Sequence, residues 1–307
     1  MPEKLTHVLR APTLIVAMSG EVSTYAPAKI NLHLSVLGRR ADGYHDILSL
    51  FQAVSLRDEI GVALAGGDGE ITISGGFDFP AERNIISAAI RGFRRVTGLS
   101  AGFRVRVEKR IPLAAGLGGG SSDAAATLRC LLALFPGAIS PSRIMDLGAE
   151  LGSDVPFFLG PAAAIVEGRG ERLTPLRPRT DYAVVAVHPR KGVPTREAYE
   201  WRDACPGRGI PLDLAAIRAA YEFGDVRQWP FFNDFDEPVL ARLPEAAGAR
   251  EALKAAGACA AGLTGSGSTV IGVFPDEAAA QRCARKLADG GRAAHVLLPL
   301  ATIPPVC

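Results

Sequence analysis

The chain has 307 residues, 48% hydrophobic and 21% charged, with 34 Lys and Arg against 32 Asp and Glu for a formal charge of +2. That length is about twice an ordinary domain, so two domains are expected, each with enough apolar content for a core. The near balance of charge excludes a general binder of nucleic acid or of membrane surfaces, which would carry a basic excess. No apolar run approaches the ~18 residues of a membrane span. The five cysteines, Cys130, Cys205, Cys259, Cys283 and Cys307, are scattered without a Cys-x-x-Cys pair. Reduced thiols in a cytoplasmic protein fit that pattern better than disulfides or zinc.

Residues 1–20 read as a flexible or loosely docked lead, with Leu14 to Met18 too short an apolar patch for a convincing signal segment and Met18 a candidate alternative start. Ser23 to Leu37 alternates. Ile30, Leu32, Leu34 and Val36 fall on one face and Lys29, Asn31, His33 and Ser35 on the other, the pattern of a half-buried strand. Arg39 to His45 is a loop around Asp42-Gly43, and Asp46 to Gly61 a further strand. Ala65 to Gly69 reads as a hairpin turn into a short strand over Glu70 to Ser74. Asn84 to Thr97 is a helix with Ile86, Ile90 and Phe93 inward and Gly98 as its stop. Phe103 to Lys109 alternates again, and the arginines on its other face, Arg104 and Arg106, read as solvated.

Gly116, Gly118, Gly119 and Gly120 then run into Ser121, Ser122 and Asp123, which are helix N-cap residue types, and a small-residue helix through Leu132. A glycine run opening a helix leaves main-chain N–H groups unpaired at its positive end, a cradle for phosphate. It is not the Walker sequence, since no Lys follows the glycines, and Ser121 breaks the dinucleotide pattern. Ser140 caps a helix begun by Pro141 and closed by Gly152. The domain change is placed within Gly160 to Arg172, giving domains at 21–165 and 166–307. Strands are expected at Tyr182–His188, Thr269–Phe274 and Ala293–Leu298, and helices near Leu212–Tyr221, Pro244–Ala256 and Asp276–Ala288.

Four segments carry chemistry beyond that frame. In Pro27-Ala28-Lys29-Ile30-Asn31, Lys29 and Asn31 lie about 6–7 Å apart on one strand face. In Asp42-Gly43-Tyr44-His45 an aromatic beside a histidine can stack on a flat ligand and read its edge. In Gly152-Ser153-Asp154-Val155-Pro156 an aspartate sits among apolar residues, where it needs a partner to stay charged; a helix cap is the plainer use for it. Leu263-Thr264-Gly265-Ser266-Gly267 is a second glycine-rich turn, either a phosphate contact or a tight connection.

Taken together, Pro112-Leu113-Ala114-Ala115-Gly116-Leu117-Gly118-Gly119-Gly120-Ser121-Ser122-Asp123 resembles the phosphate loop of the GHMP kinases. The Lys29-Ile30-Asn31, Arg40-Ala41-Asp42-Gly43-Tyr44-His45, Leu50-Phe51-Gln52-Ala53-Val54, Lys109-Arg110-Ile111-Pro112, Gly152-to-Phe158 and Leu263-to-Gly267 segments are similar to the members that act on a cytidine diphosphate-linked methylerythritol. The resemblance implies an α+β, two-domain GHMP kinase fold, with a ribosomal-S5-like N-terminal domain and a ferredoxin-like C-terminal domain. It implies transfer of the γ-phosphoryl group of ATP to the tertiary 2-hydroxyl of that substrate, in the non-mevalonate route to isoprenoids.

By the same resemblance Asp154 is the base and Lys29 its partner, with Asn31 holding substrate near them. Tyr44 stacks on the cytosine, His45 reads its edge and Tyr199 covers the other face. Asn84 and Lys109 lie near the base and ribose of ATP, and Pro112 through Ser122 hold its phosphates. Thr264, Gly265 and Ser266 line the substrate phosphates or the transfer point. ATP is the co-substrate and Mg2+ is expected with it, Ser121 or Ser122 being the candidate contact and no protein carboxylate being assigned. The implied partners are small molecules only, with no nucleic acid and no membrane, in a monomer or weak homodimer. Two further readings share parts of the pattern. One is another small-molecule kinase of the family, against which the Arg40-to-His45 segment argues. The other is a nucleotide-binding regulator or RNA-binding module, which the charge balance disfavours.

Overall fold

The computed structural model describes residues 20–75, 84–205 and 213–307. The lead expected over 1–20 lies outside them except for Gly20, as does the Leu212 start of one expected helix. The first sheet is built on two long strands, β1 (Glu21–Arg39) and β2 (His45–Asp68), joined by the tight Asp42-Gly43 loop and paired antiparallel along their length. β3 (Ile71–Ser74) follows, then α1 (Ile85–Thr97), capped at one end by the Asn84 side chain and stopped at the other by left-handed Gly98. β4 (Ala101–Glu108) buries Phe103, Val105 and Val107 and leaves Arg104 and Arg106 exposed.

Helices α2 (Gly119–Leu134), α3 (Pro141–Leu151) and α4 (Val155–Leu159) come next, then β5 (Ala163–Gly168) and β6 (Arg172–Pro175). β5 pairs with β2 and β6 with β5, so the first sheet continues to Pro175, beyond the change expected at residue 165. The second sheet holds β7 (Ala183–Val187), β9 (Ala260–Leu263), β10 (Val270–Phe274) and β11 (His295–Leu297). Between its strands lie α5 (Thr195–Asp203), α6 (Leu214–Phe223), α7 (Asp236–Leu240), α8 (Pro244–Ala255) and α9 (Glu277–Asp289). A two-residue strand, β8 (Phe232–Asn233), crosses back to lie parallel to β1.

The second sheet has the order β11-β7-β10-β9 with all pairs antiparallel. Counted in chain order within the unit that is fourth, first, third, second, the ferredoxin-like arrangement. One apolar cluster lies under the helices and includes Phe93, Phe103, Leu128 and Phe157. A second joins the two sheets, with Ile30, Leu50 and Ile165 from the first meeting Val184, Ile271 and Val273 from the second. Burial on both faces leaves β1 from Ala26 to Val36, β5, β7 and β10 without a solvated side.

Three local expectations are corrected. β3 does not form a hairpin with β2; it lies parallel to β4, with α1 making the crossover. The strand alternation of β1 does not run unbroken, because the register shifts between Asn31 and His33. One extra residue turns every later side chain to the other face. Ile30 and Leu32 therefore join the cluster between the sheets, while Leu34 and Val36 join the one beneath the helices. Ser121, Ser122 and Asp123 are not the cap of α2. The helix starts earlier, with left-handed Gly118 at the N-cap and no side-chain cap bond.

Candidate active site

A cleft of about 860 Å3 opens where β1, the loop before α2, the start of α4 and the β9–β10 turn converge. On its floor Lys29 is almost fully covered. Its ammonium donates to Asn31 Oδ1 at 2.7 Å, lies 4.4 Å from the centre of the Phe51 ring and reaches Asp154 Oδ2 at 3.7 Å. Burial pulls the Lys29 pKa below the ordinary lysine value, and the Asp154 carboxylate works against that pull. The Lys29 side chain is 5% exposed and that of Asp154 28%, so the carboxylate is the member of the pair that faces the cleft. Asp154 stands at the N-cap of α4 but makes no cap bond, so its oxygens remain for Lys29 and for a ligand. The carboxamide of Asn31 is held at both ends. Its Nδ2 donates to Ser49, and its Oδ1 accepts from Lys29 and from the Thr264 hydroxyl at 3.3 Å. Thr264 Oγ1 also accepts the Asn31 N–H at 2.9 Å.

The phosphate-type loop runs along one wall. Residues Pro112 through Ser121 all line the cleft, while Ser122 is buried beneath with its hydroxyl unpartnered. Ser122 N–H bonds back to Gly118 O, so the N–H groups of Gly119, Gly120 and Ser121 have no partner inside the helix. Glycine is required here for closeness as well as for turning. A Cβ on Gly118 would lie 3.1 Å from Lys29 Cγ, and one on Gly116 would overlap the Thr264 carbonyl. Both residues also have positive φ. The loop is thus clamped between Lys29 and the β9–β10 turn.

Lys109 anchors this wall. Its ammonium donates to Asp58 at 2.5 Å and to Asp123 at 2.7 Å. Asp58 is fully buried and accepts the N–H groups of Arg110 and Ile111 with its other oxygen. Burial works against the charge on Lys109, yet the two carboxylates outweigh it and hold its pKa above the ordinary value. Asp123 is raised to about 7, by burial first and by the Asp58 charge, with Lys109 opposing.

On the opposite side stand the aromatics. His45 stacks on Tyr199 with ring centres 4.5 Å apart, and its Nε2 lies 3.0 Å from both oxygens of Asp203. Tyr199 in turn meets Phe235 edge-on. Burial and the Asp154 charge push the Tyr199 hydroxyl up to about 12, so it stays neutral. Tyr44 is 57% exposed, with the Arg169 guanidinium 5.0 Å above its ring.

The structure brings together most of the residues expected from the sequence. Lys29, Asn31, Tyr44, His45, Lys109, Asp154, Tyr199, Gly265 and Ser266 all line the one cleft. Two do not. Thr264 is buried behind it and holds Asn31, and Asn84 is buried as the cap of α1, accepting from Ile86 N–H at 2.9 Å. Tyr199 stacks on His45 and not opposite Tyr44. Sequence reasoning missed Asp58, Asp123 and Asp203 as charge partners; Asp203 falls in a stretch with no motif, and nothing in the local pattern marks it.

The family model described as GHMP kinases N terminal domain matches residues 84–160, and that described as GHMP kinases C terminal matches 215–293. A 4-diphosphocytidyl-2-C-methyl-D-erythritol kinase of Deinococcus radiodurans is 41% identical over 90% of this chain and 94% of its own. One of Treponema pallidum is 40% identical over 87% and 94%. The chain belongs to the 4-diphosphocytidyl-2-C-methyl-D-erythritol kinase family. A crystal structure of a 4-(cytidine 5'-diphospho)-2C-methyl-D-erythritol kinase superposes with a TM-score of 0.76 at 35% identity, covering 90% of this chain and 98% of that one. The chain is therefore a small-molecule kinase of GHMP fold that uses ATP. Among the described residues no helix is long and apolar enough to cross a membrane, and no cluster of three acidic, His or Cys side chains is placed to hold a metal ion.

Proposed function

We propose that the chain phosphorylates the 2-hydroxyl of 4-diphosphocytidyl-2-C-methyl-D-erythritol with ATP, giving the 2-phosphate and ADP, a step toward isoprenoid precursors. The observation that carries this reading is the Lys29–Asp154 pair, which stands in one cleft between the glycine loop and the Tyr44, His45 and Tyr199 aromatics. Asp154 accepts the proton of the substrate hydroxyl as its oxygen bonds to the γ-phosphorus and the bond to ADP breaks. The Lys29 ammonium keeps that carboxylate ionised and lies beside the developing phosphoryl charge. Asn31, braced by Thr264 and Ser49, aims Lys29. The free N–H groups of Gly119, Gly120 and Ser121 hold phosphate oxygens at the positive end of α2. Positioning is the larger part of the work, since phosphoryl transfer passes through a loose transition state.

His45, tied to Asp203, presents a fixed ring to the cytosine edge, with Tyr44 as a platform. Magnesium is the companion expected of the ATP phosphates, and Asp123, which Lys109 engages, is not assigned to it. Ser121, on the cleft wall, would offer it a hydroxyl, and the ion would supply charge neutralisation for the phosphates.

The test is a coupled ADP assay with ATP, magnesium and, in parallel, the cytidyl substrate, mevalonate and homoserine. Turnover is expected with the first alone. Asp154→Asn should lower kcat by roughly 10²–10⁴-fold while ATP still binds. Turnover of mevalonate or homoserine in preference to the cytidyl compound would overturn the reading.

A further inference from the structure

We propose that Arg169 is a substrate-binding residue that grips the diphosphate of the cytidyl substrate, and that this side chain sets preference for a diphosphate-linked alcohol. The inference rests on the functional reading above. A diphosphate joins the cytidine to the reacting alcohol, so it must lie between the aromatic pocket and Asp154. Arg169 stands in that interval. It occupies the tip of the turn between β5 and β6, where Gly168 and Gly170 both take positive φ. The Glu171 carboxylate accepts the Arg169 N–H at 2.7 Å and stiffens the turn.

On one side the Arg169 guanidinium lies 5.0 Å above Tyr44. On the other, the turn presses against the base: a Cβ on Gly170 would sit 3.1 Å from Ser153 Cβ and 3.6 Å from Asp154 Oδ1. The side chain lines the cleft and forms no ion pair among the described residues. Asp42, whose charge feels the Arg169 guanidinium, is already held by Arg40 through both oxygens. The other arginines of the cleft are placed differently. Arg196 is paired with Glu200, and Arg39 is opposite His45 on the neighbouring strand, at the base end. A guanidinium offers a planar fork of donors that suits phosphate oxygens, and stacking on Tyr44 orients that fork.

Binding of CDP and of cytidine to the full-length protein, with the ATP site filled by a non-hydrolysable ATP analogue, isolates the contribution of the diphosphate. Calorimetry is expected to show Arg169→Ala weakening CDP by roughly tenfold or more while cytidine is unchanged. Steady-state assays should show a matching rise in KM for the cytidyl substrate, with KM for ATP held, and Arg169→Lys should recover part of the loss. Equal losses for CDP and cytidine would assign Arg169 to the base platform and overturn the proposal, as would no loss for either, or a rise confined to the KM for ATP. If the wild-type chain turns over no cytidyl substrate, the functional reading fails and this inference with it. If it does and Arg169→Ala matches the wild type, this inference alone fails.

Discussion

Lys29 sits where burial disfavours its charge and the Asp154 carboxylate favours it. Its pKa lies below 10.5 because desolvation outweighs the nearby Asp154 carboxylate. Two consequences of opposite sign follow. Between the folded-state value and 10.5 the unfolded chain holds the proton that the folded chain has released. Stability contributed by this group therefore rises with pH in that window. On the proposed mechanism activity moves the other way, because deprotonation removes the cation beside Asp154. The kcat/KM profile of the wild type is expected to fall on the alkaline side at a pH below 10.5. In Lys29→Arg, whose side chain does not titrate there, the residual rate should lack that limb. An identical alkaline limb in both proteins would exclude Lys29 as its source.

The helix that follows the glycine loop is fixed at its start by a bridge of three charges, Asp58, Lys109 and Asp123, and not by a side-chain cap. Asp58 and Asp123 are almost completely buried, so removing the ammonium leaves two uncompensated carboxylates. Lys109→Met is expected to lower stability by about 3 kcal/mol at pH 8. The deficit depends on pH with a definite sign. Asp123, raised to about 7 against an ordinary 3.8, binds a proton in the fold that the unfolded chain has already lost. Its contribution is present below the lower value and is lost as pH rises through the higher one. Without Lys109 its pKa moves further up. Thermal melts should therefore show a smaller gap between variant and wild type at pH 5 than at pH 8. A gap that does not change with pH would mean that Asp123 is not titrating under the loop. This bridge also marks a limit of the sequence. The glycines, Lys29, Asp154 and the Tyr44-His45 pair, which line one cleft, were picked out in the sequence as segments that resemble a family, since local pattern alone also allowed a solvated lysine, a helix cap and a plain turn. Asp58 and Asp203 were not, because the cleft residues they hold, Lys109 and His45, lie far away in the chain. The face swap in β1 was hidden for another reason: a bulge adds one residue without altering apolar alternation.

At the scale of the whole molecule, the two sheets share an apolar interface, and the end of the chain ties them a second time. After β11 the segment 298–307 turns back across the first sheet. Ser55 and Leu298 exchange hydrogen bonds, Leu300 N–H bonds to Ala53 O, and Gln52 donates to Leu300 O at 2.9 Å. Farther on, Ser23 and Cys307 pair through both main-chain groups, and the Thr24 hydroxyl donates to Pro305 O at 2.7 Å. Arg129, on the phosphate-loop helix, binds Pro304 O and reaches Tyr25 O at 2.8 Å, so strap, β1 and α2 meet at one side chain. Burial lowers the Arg129 pKa to about 10, well above neutrality, so the tie stays charged at working pH. Each neutral bond of this kind contributes about 0.5–1.5 kcal/mol. Deleting residues 300–307 removes several of them and leaves the largely buried Arg129 without its Pro304 acceptor. The truncated chain should lose roughly 3–5 kcal/mol, a fall in Tm on the order of 10 °C. Because α2 is gripped from behind by this tie, the KM for ATP should rise more than that for the cytidyl substrate. An unchanged melt would show that the strap lies on the sheet without holding it, and equal rises in both KM values would show that it acts on the cleft as a whole.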